Sequence, residues 1–341
     1  MENKNIFALC DYKGIFGSKY YARPYRSGMD KDILAKEFSN YGYKIKYIPF
    51  IDINNLEIPE GQIVIYTSSE DPGYKYKEFI EDIVYYLEIC GVNVIPSFKY
   101  LRANNNKVFM ELLRKLLSSS EYQILTKVFG CYEELIENCS DIPFPCVVKE
   151  AKGAGSKGVH IAKNKNELEK VTKAISRTTY FAEDIRDVLR TIKHKGYIKE
   201  SLHRSKFIVQ EFIPNLSNDW KVLVYWDKYY VLRRKNRPND FRASGSGLFS
   251  FDEIVDPRLL DAAREIRQNF DVPMISLDLA ISNNRVVLIE FQFVYFGTST
   301  LEESPYYYVD NNGHWEKVLE RSNLEDIYSY SIVSYIEDKI K

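Results

Sequence analysis

The chain has 341 residues, enough for two or three domains and a substantial buried core. Its 47 basic and 48 acidic side chains nearly cancel, which argues against nucleic acid or a membrane as partner and leaves anionic ligands to local charge. No apolar run nears the roughly 20 residues that span a bilayer, the apolar stretch near Met1 is too short for a signal peptide, and five cysteines without metal-type spacing (Cys10, Cys90, Cys131, Cys139, Cys146) read as reduced, mostly buried thiols of a cytoplasmic protein.

In the first hundred residues short apolar runs alternate with helical patterns. Ile6 to Cys10 reads as a buried strand. A helix from about Asp30 follows, with Ile33, Leu34 and Phe38 on one face and Gly42 as its stop. Strands are expected over Ile45–Phe50, Ile63–Tyr66 and Val92–Ile95, with a helix over Tyr76–Cys90. This alternation favours a doubly wound parallel layer. The texture changes near Leu101. A helix over Lys107–Leu117 leads to a short strand near Glu121–Thr126, then to strands over Cys146–Lys149 and Val159–Ala162. A helix opened by Asn164, with Glu167 three residues on, carries a capping-box signature. Residues 177–206 read as a helical insertion. Further strands are expected over Phe207–Phe212, Trp220–Trp226 and Tyr229–Arg234. Asp256-Pro257 opens a helix, and strands over Ser276–Ile281 and Arg285–Phe291 meet at the tight-turn pair Asn283-Asn284. A last helix begins near Ser322, with Glu325 completing a second capping box.

Two segments carry chemistry. In residues 147–162, Gly153, Gly155 and Gly158 fit Gly-x-Gly-x-x-Gly, a weak signal alone. They join two strands rather than a strand and a helix, so they form a hairpin whose bare backbone N–H groups can fold over polyphosphate. Lys149 lies before that loop, where a phosphate-binding lysine is in reach. Val159 stands where a P-loop needs lysine, so that reading fails. A solvated surface hairpin is the bland alternative. In residues 274–297, Asp278 alternates with apolar neighbours, and Glu290 and Gln292 share a strand face. Hairpin pairing can bring Asp278 beside them. Carboxylates among isoleucine and phenylalanine need a cation, either Mg²⁺ or a nearby arginine.

Lysine strand, glycine hairpin and carboxylate hairpin occur in an order that resembles the ATP-grasp superfamily, in its carboxylate–amine ligase type, over roughly residues 101–300. The resemblance implies an α/β (α+β) ATP-grasp fold. A central subdomain (101–210) with a glycine flap and a C-terminal subdomain (211–341) with the metal site and terminal helix would clamp ATP, preceded by a parallel-sheet domain (1–100). It implies ATP and Mg²⁺ as cofactors. Lys107 and Lys149 would contact the phosphates under a flap containing Gly153, Gly155, Ser156 and Gly158. Gln210, Glu211, Phe212 and Ile213 look like the adenine hinge. Asp219 matches a ribose partner, and Lys221 replaces the family's arginine. Arg233 and Arg242 fall in the segment around the transferred phosphate, with Arg242 facing the γ-phosphate and acyl phosphate. Asp278, Glu290 and Gln292 match the metal ligands, with Glu290-Phe291-Gln292 in place of the usual Glu-x-Asn.

The activity so implied is phosphorylation of a carboxylate to an acyl phosphate, followed by attack of an amine. The carboxylate partner is a small molecule, a peptide or a sugar acid, and a homodimer is compatible with the sequence. The alternatives are a phosphotransferase acting on a hydroxyl and a non-catalytic ATP-binding module. Loops after early strands, Asp11 to Gly14, Gly17 to Lys19 and Thr67 to Glu70, with Arg23 and Arg26, are candidates for substrate recognition.

Overall fold

The computed structural model describes residues 4–153, 158–237, 247–251 and 254–340. The chain divides into two compact units: Met1–Asn104 with Leu117–Tyr122 and Leu216–Lys341, and Asn105–Leu116 with Gln123–Asn215.

The first unit opens with β1 (Lys4–Cys10), α1 (Lys31–Asn40), β2 (Tyr43–Pro49), β3 (Ile63–Tyr66), α2 (Lys75–Ile89), β4 (Asn93–Ile95) and α3 (Phe98–Ala103). The strands form a parallel sheet in the order β2-β1-β3-β4, as expected of short apolar runs separated by helices. Asp30 caps α1 by accepting from the amides of Asp32 and Ile33, and Gly42 follows it in the left-handed region. Leu34 and Phe38 are buried as expected, whereas Ile33 is exposed.

The second unit contains α4 (Lys107–Arg114), β5 (Thr126–Phe129), α5 (Tyr132–Glu137), β6 (Cys146–Glu150), β7 (Val159–Ala162), α6 (Lys165–Ile175), α7 (Phe181–Lys193) and β8 (Phe207–Glu211). Its antiparallel sheet runs β5-β8-β6-β7. The strand expected near Glu121 begins only at Thr126, where the chain comes opposite Gln210. The apolar residues that suggested an earlier start, Tyr122 and Ile124, are buried without joining a ladder. Helix α4 ends at Arg114, short of Leu117, and the Arg114 carbonyl accepts from the Gln123 side chain. The first half of the capping box at α6 forms, with Asn164 Oδ1 accepting from the Glu167 amide at 3.0 Å, whereas the Glu167 carboxylate reaches past the cap to the Lys163 amide at 2.9 Å. Only α7 is helical within the expected insertion.

The chain then returns to the first unit with β9 (Asn218–Tyr225), β10 (Lys228–Lys235), β11 (Phe249–Ser250), α8 (Pro257–Phe270), β12 (Met274–Ser282), β13 (Arg285–Gln292), α9 (Ser299–Glu303), β14 (Tyr307–Asn311), β15 (His314–Val318) and α10 (Leu324–Lys339). The sheet order is β13-β12-β9-β10-β14-β15, with β11 pairing β10. Asn283 and Asn284 both take positive φ (49° and 62°), the geometry of a tight hairpin turn. One apolar cluster joins Ile6, Leu34 and Phe38 to Leu223, Tyr230 and the α10 residues Ile332 and Ile336. The second expected capping box does not form. Asn323 caps α10, while Glu325, fully buried, turns to the Lys19 ammonium at 2.7 Å and the Asp30 amide at 2.8 Å. All five thiols are free, and of these only Cys10 and Cys146 are buried, fewer than expected. No helix among the described residues is long and apolar enough to cross a membrane.

Candidate functional site

Alternation divides the second unit's sheet into two faces. Phe129, Cys146, Val148, Ala162, Phe207 and Val209 fill an apolar core on one. Thr126, Lys149 and Gln210 therefore fall on the other. The Lys149 ammonium, on a residue 7% exposed, donates to Gln210 Oε1 at 2.7 Å. Gln210 is oriented in turn by donating to Thr126 Oγ1 at 3.0 Å. Nearby, Glu111 and Arg114 form a buried two-point ion pair at 2.8 and 3.0 Å. Lys107, first residue of α4, donates its ammonium to the Gly153 carbonyl at 2.8 Å, and its amide binds the Ala151 carbonyl at 2.9 Å. Both expected phosphate lysines thus belong to one buried polar layer whose members are tied to the strand leading into the glycine segment.

Gly153 has φ +115°, which a side chain rarely adopts, and a Cβ on Gly158 would come within 2.9 Å of the Glu150 carboxylate carbon. Gly155 and Ser156 lie outside the described residues, as does Arg242. At the expected hinge, the Glu211 amide binds the Leu125 carbonyl at 2.9 Å. Phe212 lies beside Glu211, beyond the end of β8.

In the first unit, charge gathers on one face of the antiparallel sheet. Asp278 stands directly opposite Glu290 across the hairpin and opposite Lys221 on β9, and Gln292 stands opposite Ser276. Arg234 grips Asp219 at two points, 2.6 and 2.8 Å, and reaches Asp278 at 2.8 Å. Lys221 lies 3.8 Å from Asp278 and donates to Ser276 Oγ at 3.0 Å. Burial, with the neighbouring Asp278 charge, raises the Asp219 carboxyl to about 6 even though Arg234 opposes the shift. A single guanidinium serves two carboxylates and cannot fully compensate both. Both Asp219 oxygens are engaged by Arg234, so a ribose hydroxyl there would compete with a bidentate arginine.

Arg233 turns to the opposite face, where its guanidinium lies 5.5 Å from the Trp220 ring centre. Sequence reasoning singled out Arg233 and passed over Arg234. Asp219 is its cross-strand partner, so strand alternation combined with β9–β10 register was the signal that separates the two arginines.

Two carboxylates and an amide oxygen on one face are hard oxygen donors of the kind a small divalent cation takes. Among the described residues no three His, Cys, Asp or Glu side chains are placed so that they could hold a metal ion by themselves. Asp278 divides its charge among Arg234, Lys221 and any such ion.

Residues 107–199 match the family model of the carbamoyl-phosphate synthase L chain ATP-binding domain. The chain is similar to the solved structure of D-cycloserine synthetase DcsG, with 11% identity, 98% of this chain and 100% of that chain covered, and a TM-score of 0.53. It is similar to the macrocyclase MdnC bound with precursor peptide MdnA from Microcystis aeruginosa MRC, at 10% identity, 97% and 99% coverage and a TM-score of 0.52. It is also similar to the ATP-grasp ligase PsnB complexed with a minimal precursor, at 12% identity, 98% and 99% coverage and a TM-score of 0.51. At such identities the likeness is one of fold. No curated protein sequence matches the chain.

Proposed function

We propose that the chain is an ATP-grasp protein and an ATP-dependent ligase joining a carboxylate to an amine. The observation that carries this reading is the register of the β12–β13 hairpin, which sets Asp278 against Glu290 with Gln292 two residues on. The names of the similar proteins, a synthetase, a macrocyclase and a ligase, support bond formation over simple nucleotide binding.

The chemical problem is that a carboxylate repels nucleophiles and has no leaving group. Attack of a carboxylate oxygen on the γ-phosphorus breaks the bond to ADP and gives an acyl phosphate. The amine nitrogen then bonds to the carbonyl carbon, the carbon–oxygen bond to phosphate breaks, and the nitrogen loses a proton. Products are an amide, ADP and phosphate. In this reading Lys107 and Lys149 neutralise and orient the phosphate oxygens, as buried ammonium groups already aligned by Gly153 and Gln210. Glycines 153, 155 and 158, with Ser156, supply backbone donors over the phosphates. The hinge at Phe212 and Ile213 offers backbone groups to the base, and Asp219, Lys221 and Arg234 keep the charged sheet face in place. Arg242 is assigned, from the sequence, to the charge on the transferred phosphoryl group, with Arg233 beside that segment. Asp278, Glu290 and Gln292 would hold magnesium, which supplies charge neutralisation at the phosphoryl oxygens.

Glu290→Ala tests the reading. Carboxylate- and amine-dependent ADP release should vanish while circular dichroism and the unfolding transition stay those of the parent chain. Turnover retained in the folded variant contradicts the assignment.

A further inference from the structure

Helix α7 is turned inside out. Phe181, Ile185, Val188 and Ile192 recur at steps of four, three and four residues, the spacing of a helix-pairing seam, with Leu189 beside them. All five are between 46% and 79% exposed. The side that meets the rest of the second unit is polar instead. Asp187, buried there, accepts from the Tyr197 hydroxyl and from the Glu200 amide, the latter at 3.0 Å, and Arg190 lies 3.7 Å from it.

Such an arrangement is unfavourable for a chain on its own. A helix of 13 residues is marginal in water and draws its stability from packing an apolar face. Here the apolar face meets solvent while a carboxylate does the anchoring. Covering the stripe takes a second apolar surface of matching length. An anionic lipid surface suits it poorly, because Glu183 and Asp184 stand in the first turn of the same helix.

The distribution of charge favours one occupant. Glu183 and Asp184 lie in the first turn of α7, and Arg190 and Lys193 lie in its last, with Lys195 just beyond. Arg186, midway, pairs with Glu183 of its own helix. Two copies laid antiparallel bring an acidic first turn beside a basic last turn at both ends, and oppose the helix dipoles as well. Parallel copies would set like charge against like. The apolar stripe obeys the same symmetry. A two-fold axis passing between Arg186 and Asp187 sets Phe181 level with Ile192 of the other copy, and Ile185 level with its Val188.

We propose that α7 is a self-association surface, on which a second copy of this chain lays its own α7 antiparallel so that the two stripes interdigitate. The proposal does not depend on the ligase reading. A seam of about two heptads is small, so the dimer should be weak, with a Kd on the order of micromolar.

The test uses the full chain. Sedimentation velocity from about 1 to 200 μM should show a reversible shift from monomer to dimer. Ile185→Glu combined with Ile192→Glu puts charge on the stripe and should raise the dimer Kd at least tenfold, with circular dichroism unchanged because both side chains are exposed in the single chain. If that variant does not fold, Ile192→Ser takes its place and should raise the Kd several-fold. Orientation is read by mild oxidation of mixed single variants, with peptide mass analysis to set aside bonds to the native thiols. Phe181→Cys and Ile192→Cys should crosslink to each other faster than either does to itself. A monomer throughout the concentration range overturns the proposal, as does a dimer whose Kd the stripe variants leave unmoved. Faster crosslinking of position 181 to position 181 overturns it by showing a parallel pair. Flotation of the monomer with phosphatidylglycerol vesicles, lost in the stripe variants, would give this face to lipid and overturn it too.

Discussion

Arg234 holds both carboxylate oxygens of Asp219, at 2.6 and 2.8 Å, and the same Nη2 reaches Asp278 at 2.8 Å. This guanidinium is 6% exposed and lies where β9, β10 and β12 meet, so it fixes the charged face on which the proposed metal ligands stand. Replacing it with alanine would leave two poorly hydrated carboxylates facing each other. Breaking a buried pair from one side costs about 3–5 kcal/mol. Arg234→Ala should therefore lower the urea midpoint strongly, and Arg234→Lys should lower it by less, because lysine keeps the charge but not the planar fork. Equal losses in the two variants would count against the two-point geometry.

Asp219 gives this cluster a pH signature. Its carboxyl is raised to about 6 by burial and by Asp278, against an ordinary value of 3.8. Between about pH 4 and 6 the folded chain keeps a proton that the unfolded chain has released. Stability contributed by this group therefore falls as pH rises through that window and is level above it. Asp219→Asn should flatten that slope in unfolding experiments across pH. The same slope in both proteins would show that Asp219 titrates near its ordinary value.

How far this arrangement could be read in the sequence varied with how local its cause was. The turn Asn283-Asn284 was accessible, but its register alone would set Asp278 opposite Ile289; a bulge between Asp278 and Leu279 shifts the pairing by one residue and brings Asp278 opposite Glu290. Lys149 was accessible as a lysine at the end of an apolar strand. The choice between Arg233 and Arg234 was not, since it depends on which of them meets Asp219 across another strand. Gln210 stood out only as part of a hinge, and its side-chain bond to Lys149 joins residues 61 positions apart. The hairpin of β14 and β15 was missed although Asn312-Gly313 is a turn signal, because its tyrosines read as general packing.

Lys149 and Gln210 make a second testable pair. Gln210 Oε1 accepts from the buried Lys149 ammonium and fixes its direction. Hydrogen bonds to charged groups contribute roughly 1.5–3 kcal/mol, so Lys149→Ala should weaken calorimetric ADP binding by about tenfold or more. Gln210→Ala removes only the positioning contact and should weaken it by less. Nucleotide affinity unchanged in Lys149→Ala would argue against phosphate binding there.

Gly28, in the loop between β1 and α1, separates steric from conformational cost. It has φ +78°, and a Cβ there would lie 2.4 Å from the Phe16 carbonyl oxygen and 2.7 Å from Ile15 Cγ2. The next residue, Met29, donates its amide to the same carbonyl at 2.9 Å. Gly42 has φ +78° as well, but a Cβ there meets nothing within 4 Å. Gly42→Ala should therefore cost about 1–2 kcal/mol, the left-handed backbone penalty alone. Gly28→Ala carries that penalty and must also push backbone aside, so its urea midpoint should fall further. Matching losses in the two alanine variants would mean that the loop yields freely.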